Sequence, residues 1–178
     1  MGAGVPAPGG RGRQRIRHDR LNHRARASAR GRRPQKLGED QAIGRSKGGL
    51  TTKIHATVDA LGNPVGFHLT GGQEHDLAGA DALLPELEAE TLIADKAFDA
   101  DQRVLEPLAE AGKTAGIPPR KSRTTLRAFD RDLYQARHLI ENFFAKLKQF
   151  RAIATRYDKT ARCFLAGIHL AATLIWLN

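Results

Sequence analysis

LTTKIHATVDALGNPVGFHLT, residues 50–70, decides the fold. Thr52, Ile54, Ala56 and Val58 fall on one side of an extended chain, and Lys53, His55 and Thr57 on the other, which predicts a half-buried β-strand. The turn Ala60-Leu61-Gly62-Asn63 follows. Val65, Phe67 and Leu69 then resume the alternation, so the segment reads as an antiparallel hairpin. His55 and His68 belong to that hairpin as sheet residues rather than as ligands.

Toward the C-terminus the period changes. Asp76 stands as an N-cap before DLAGADALLPELEAE (76–90), a helical stretch. TLIAD (91–95) is a short apolar strand ending at Asp95, and DADQRVLEPLAEAG (99–112) is a second helix stopped by Gly112. TAGIPP (114–119) reads as another short strand before the basic loop RKSRTTLR (120–127). DLYQARHLIENFFAKLKQF (132–150) is a long helix, and FLAGIHLAATLIWLN (164–178) is a core helix, too short and too interrupted by His169 to cross a bilayer. Hairpin, helix, strand, helix, strand, helix is the order of an α/β domain.

The long helix carries the chemistry. Tyr134, Arg137, Glu141 and Lys148 are separated by 3, 4 and 7 residues, and at about 100° per residue they share one narrow stripe. Leu133, Ala136, Leu139, Ile140, Phe143, Phe144, Leu147 and Phe150 occupy the neighbouring arc and should be buried. A carboxylate between two cations at the margin of a core suits a metal ligand beside groups that grip phosphate. Each residue also has an ordinary explanation. Asp95 serves equally as a turn or capping Asp after a strand, and Glu141 as half of an i, i+4 ion pair with Arg137 worth about 0.3–0.5 kcal/mol.

Composition narrows the classes. The 178 residues suit one domain able to bury its own core. The single cysteine, Cys163, excludes an internal disulfide and a thiolate cluster; beside Phe164 and Leu165 it reads as a buried, inert thiol in a reducing compartment. Residues 1–40 contain no apolar stretch of the signal-peptide kind. The net charge of +10 is lopsided, with 11 basic against 3 acidic side chains in residues 1–40. Residues 1–43 therefore read as a basic disordered tail with affinity for any polyanion.

Tyr134, Arg137, Glu141 and Lys148 together reproduce a Y-x2-R-x3-E-x6-K signature, and the chain resembles the DDE transposases of bacterial insertion sequences, in the Y-R-E-K group (IS-four and IS-five-like). GRSKGGLTTKIHATVDALGNPVGFHLTGGQEHDL (44–77), TLIADKAFDAD (91–101) and RHLIENFFAKLKQFRAIATRYDK (137–159) are similar to segments of that family in the same order. The resemblance implies a catalytic domain over residues 44–178, with a ribonuclease H-like mixed sheet and flanking helices. It implies that Asp95 and Glu141 are the second and third of three acidic ligands for two divalent ions, Mg²⁺ or Mn²⁺. Tyr134, Arg137 and Lys148 are then DNA-binding residues. The partner it implies is double-stranded DNA at transposon ends, engaged by a homodimer in the transposition complex. The location it implies is cytoplasmic, on the nucleoid, with no membrane association.

The first carboxylate breaks the pattern. Family members carry it in a D-S-T-like element ending an apolar strand, upstream of the stretch that begins here at Gly44. Asp19 is the nearest candidate, but RQRIRHDRLNHRARASARGRR cannot enter a sheet as a buried strand without burying unpaired charge. The expectations are a domain lacking its first, central strand, and residues 1 to about 36 read from a different frame. The chain is then a truncated or frameshifted form, inactive by itself. The competing expectation is a non-enzymatic basic DNA-binding protein or transposition inhibitor that ignores the carboxylates.

Overall fold

The computed structural model describes residues 13–22, 41–47, 49–124, 127 and 129–177, with side chains from residue 41 onward. Six strands form one mixed sheet: β1 (Arg13–Asn22), β2 (Gly44–Ser46), β3 (Gly49–Val58), β4 (Pro64–Gly71), β5 (Thr91–Ala94) and β6 (Thr114–Gly116). Their order is β2-β3-β1-β5-β6, with β4 also paired to β3. The predicted hairpin is present as β3 and β4, with Ile54 opposite Leu69 and Ala56 opposite Phe67. Its turn is organised by Asp59, whose carboxylate accepts from the amides of Leu61 at 2.8 Å and Asn63 at 2.9 Å. Gly62 takes a φ of +92° there, a region that disfavours residues with a Cβ.

The central strand is not missing. Residues Arg13–Asn22, expected to be part of a disordered tail, run antiparallel to β3 (Arg15 opposite Val58, Asn22 opposite Thr51) and parallel to β5 (Arg13 level with Thr91, Ile16 with Ala94). β3 and β5 would otherwise each present an open row of N–H and C=O groups, and backbone pairing satisfies both. Ile16 and Leu21 are the only large apolar residues of the segment and stand at opposite parity, so side-chain alternation gave no sign of a strand.

β3 is also more deeply placed than its alternation suggested. Every residue from Thr51 to Val58 is buried. Ile54, Ala56 and Val58 pack against α4 (His138–Leu147) and α6 (Ala161–Leu177) through Ile140, Phe143, Phe144, Phe164 and Ile168. On the other face, α1 (Leu77–Leu83) and α2 (Glu106–Glu110) close a second core around Leu83, Leu92, Phe98, Val104 and Ile117. Helices thus cover both faces of the sheet. Among the described residues no helix is long and apolar enough to cross a membrane.

Several local expectations need correction. α1 ends at Leu83 rather than running to residue 90, because Pro85 cannot continue it. Asp76 does not cap α1 with its side chain. It instead pairs with the buried Lys53 at 2.6 Å, and His75 Nδ1 accepts from the Leu77 amide at 3.3 Å. The 99–112 stretch starts as a π-helical turn, Asp101–Leu105, before α2. The long helix is interrupted: α3 (Arg131–Gln135), α4 and α5 (Arg151–Ala154) replace it. At the first break the bonds tighten to an i→i+3 pattern, Arg137 N to Tyr134 O at 3.0 Å and Ile140 N to Arg137 O at 3.2 Å. Cys163 is exposed, lying off the Phe164, Ile168, Ala171, Ala172 stripe that α6 buries. Phe143 and Phe144 are core, as expected, and Phe98 is core as well.

Arg156, after α5, is 2% exposed. It donates to Thr52 Oγ1 at 2.6 Å, Gln41 O at 2.7 Å and Asp158 O at 3.0 Å, and its guanidinium lies 4.6 Å from the centre of the Phe164 ring. Burial pushes its pKa down to about 10, against the pull of Asp158, so it stays charged at neutral pH. Replacing Arg156 with Met removes the donor to the buried Thr52 Oγ1 and to two part-buried carbonyls and should cost about 3 kcal/mol. A lowered urea midpoint with an unchanged m-value is the expected result.

Candidate active site

Asp95 follows the last residue of β5, where the strand's direction aims side chains beyond the sheet. Its φ, ψ of −68°, 158° are still extended, and its carbonyl accepts from Phe98 N at 2.8 Å to start the 3-10 turn Lys96–Phe98. The carboxylate does not cap that turn. It is directed across to the α3–α4 junction, where Asp95 Oδ1 accepts from Tyr134 Oη at 3.0 Å and Arg137 Nη1 at 2.6 Å. Arg137 reaches the other way with Nη2, 2.8 Å from Glu141 Oε1. One guanidinium therefore bridges two carboxylates from two separate elements.

The spacing explains the convergence. Tyr134 and Arg137 are three apart, Arg137 and Glu141 four apart, so each pair shares a helical face even though the helix tightens between them. The Arg137 guanidinium also lies 5.3 Å from the Tyr134 ring centre, a cation–π distance. Phe129 meets that ring edge-on at 5.9 Å. Lys148 is placed differently, at the C-terminal end of α4, exposed, about two turns beyond Glu141. The structure brings Asp95, Tyr134, Arg137 and Glu141 together and leaves Lys148 at the far end of the same helix.

Site electrostatics follow from this arrangement. Tyr134 has its phenol pushed above the usual 10.0 by burial first, then by the Asp95 charge and hydrogen bond, with Arg137 opposing. The pair of carboxylates is partly exposed, with Asp95 at 30% and Glu141 at 38%, which leaves them open to a ligand from solvent. As oxygen donors they suit a hard divalent ion. Among the described residues no group of three His, Cys, Asp or Glu side chains comes together to hold one. The cation between them is Arg137.

A further carboxylate went unnoticed in the sequence. Asp99, read there as a helix start, is buried and accepts from Arg120 N at 2.8 Å and Arg123 Nε at 3.0 Å, with Arg127 Nη2 at 3.6 Å. Burial would raise its pKa, but the Arg120 amide and the Arg123 and Arg127 charges outweigh it and hold the carboxyl below its ordinary 3.8. One signal was available. A carboxylate that the fold buries needs a cationic partner, and RKSRTTLR is the nearest concentration of cations downstream.

The sequence pattern of the transposase DDE domain is matched over residues 23–176. The chain belongs to the transposase DDE domain family. A protein of Brucella ovis, described by inference as the transposase for insertion sequence element IS6501, is 41% identical over 130 residues. The aligned part covers 72% of this chain and the whole of that protein. The family match begins at residue 23, ahead of the segment from Gly44 that carries the resemblance in the sequence. In this DDE domain, Asp95 and Glu141 sit on the two elements that the Arg137 bridge ties together.

Two measurements probe the site. In a Tyr157→Phe background, Asp95→Asn should move the Tyr134 ultraviolet titration to lower pH, since a raising influence is removed; an unmoved midpoint would rule out the Asp95 contact. For Asp99 the folded pKa is depressed, so its contribution to stability is present above about pH 3.8 and lost as pH falls through the lower folded value. Asp99→Asn should accordingly flatten the acid limb of a stability–pH curve below pH 4 or so.

Proposed function

We propose that the chain acts in DNA transposition, through metal-dependent cleavage and strand transfer at insertion-sequence ends. The observation that carries this is the meeting of Asp95, at the end of β5, with Glu141, on α4, at one guanidinium. Family membership and the name of the Brucella protein support the same process. The strand order β4-β3-β1-β5-β6, antiparallel on one side and parallel on the other, supports a ribonuclease H-like fold.

Asp95 and Glu141 would hold Mg²⁺ or Mn²⁺, which when bound supplies Lewis-acid activation of a phosphodiester and of its attacking water or hydroxyl. Arg137 holds Asp95 Oδ1 and Glu141 Oε1, so an ion sharing those two oxygens would displace its guanidinium from at least one of them. Its planar fork then matches a backbone phosphate. Tyr134 steadies Asp95 through its hydroxyl, and Lys148 adds a point charge further along the duplex. Two copies acting on the two ends of an element, on the nucleoid in the cytoplasm, complete this reading.

The chain by itself should be feeble. Asp19 lies on β1 three residues beyond Ile16, the last position paired with β5, and no described carboxylate joins Asp95 and Glu141. We therefore infer an incomplete ligand set, consistent with an upstream segment from another frame. A second reading, a DNA-binding inhibitor without catalysis, is favoured by the same Arg137 bridge, which sets a positive charge between the two carboxylates without an ion.

A labelled duplex carrying transposon ends distinguishes them. In Mn²⁺ the 178-residue chain should cut weakly, and Glu141→Gln or EDTA should lower the rate at least about 100-fold with little change in melting temperature. A chain whose residues 13–22 are replaced by an apolar strand ending in Asp-Ser-Thr should cut faster by orders of magnitude. Tight binding with no cutting by either chain, in either metal, would establish the inhibitor.

A further inference from the structure

Two guanidinium groups, of Arg123 and Arg127, and the backbone amide of Arg120 converge on Asp99, although one bidentate Arg could neutralise a carboxylate. A buried ion pair is weak evidence of stabilisation, since desolvation offsets most of the attraction. What the arrangement does achieve is placement. Arg120 spends its amide on Asp99, and its guanidinium on the carbonyls of Lys96 at 3.1 Å and Ala97 at 2.7 Å, within the turn that Asp95 begins. Arg123 spans Asp99 and Asp101, the latter at 2.6 Å. Arg127 closes the loop by donating to Ile117 O at 2.7 Å. The loop is thereby fixed to the backbone that carries Asp95.

Its outer side presents Lys121, Ser122 and Thr124, all exposed. Below them is a cleft of about 370 Å³, lined by Asp99, Asp101, Arg120, Ser122, Arg123 and Thr124. Against two carboxylates, Asp99 and Asp101, which pair with Arg123 and Arg127, this region also carries Arg120 and Lys121, so the surface keeps an excess of positive charge. Cations, hydroxyls and backbone amides without apolar anchors are the groups that contact a phosphodiester backbone.

We propose that the loop of residues 120–124 is a DNA-backbone-binding surface beside Asp95, and that Asp99 is the positioning residue that builds it. The proposal rests on the reading that this chain works on DNA. Asp99 touches no substrate; it acts by holding Arg120 and Arg123.

The test uses the full chain, a duplex bearing transposon ends and a salt series. Removing an acidic charge ordinarily tightens DNA binding, because fewer like charges oppose the phosphates. Asp99→Asn should do the opposite and weaken binding about tenfold, because the loop loses its anchor. Lys121→Ala with Ser122→Ala leaves the anchor intact; it should also weaken binding and reduce the salt slope by about 0.9. This second variant decides the matter should Asp99→Asn fail to fold. DNA should protect Lys121 from acetylation in the parent chain and much less in folded Asp99→Asn. Tighter binding by folded Asp99→Asn, or unchanged binding and slope in the Lys121/Ser122 variant, overturns the assignment of the loop alone. A parent chain that binds no duplex even at low salt overturns the DNA reading together with it.

Discussion

β3 and β5 share a sheet only through a strand antiparallel to one and parallel to the other, and everything else in the domain is arranged around that constraint. β1 meets it with backbone groups along residues 13–22. The two cores lie on opposite faces of the sheet so seated, one under α4 and α6, the other under α1 and α2. The site depends on it too, because Asp95 is placed by β5 and Glu141 by α4, and the sheet fixes the distance between those elements. Arg156 secures the far end, tying the loop after α5 to β3 and to the chain that enters β2.

Much of this was legible in the sequence because it is written in side-chain period. Alternation marked β3 and β4, a short apolar run marked β5, and the 3-and-4 spacing of Tyr134, Arg137 and Glu141 survived even where the helix breaks. β1 was not legible, since its pairing is a property of the backbone and of two waiting strand edges, while its side chains argue against it. Asp76 illustrates a second blind spot. Locally it is an ideal helix cap, but a lysine 23 residues earlier, held in the sheet, claims it. Asp99 was hidden for the same reason, its partners lying 21 residues or more away.

Of the residues singled out in the sequence, Asp95, Tyr134, Arg137 and Glu141 lie together in the fold and Lys148 lies apart, at the end of α4. Periodicity could place Arg137 and Glu141 on one face, but not reveal that the arginine would also reach Asp95. The difference matters chemically. From the sequence the stripe is a metal ligand flanked by phosphate contacts; in the folded domain the arginine is itself the charge that contacts both carboxylates.

That bridge separates two requirements that acidic active sites usually join. Carboxylates gathered for a divalent ion repel one another until it arrives, so such a pocket tends to gape or to make assembly depend on metal supply. Here the polypeptide carries its own resident counterion, Arg137, between the two carboxylates. The shape of the cleft then rests on the polypeptide alone, through a single guanidinium that is part of the chain.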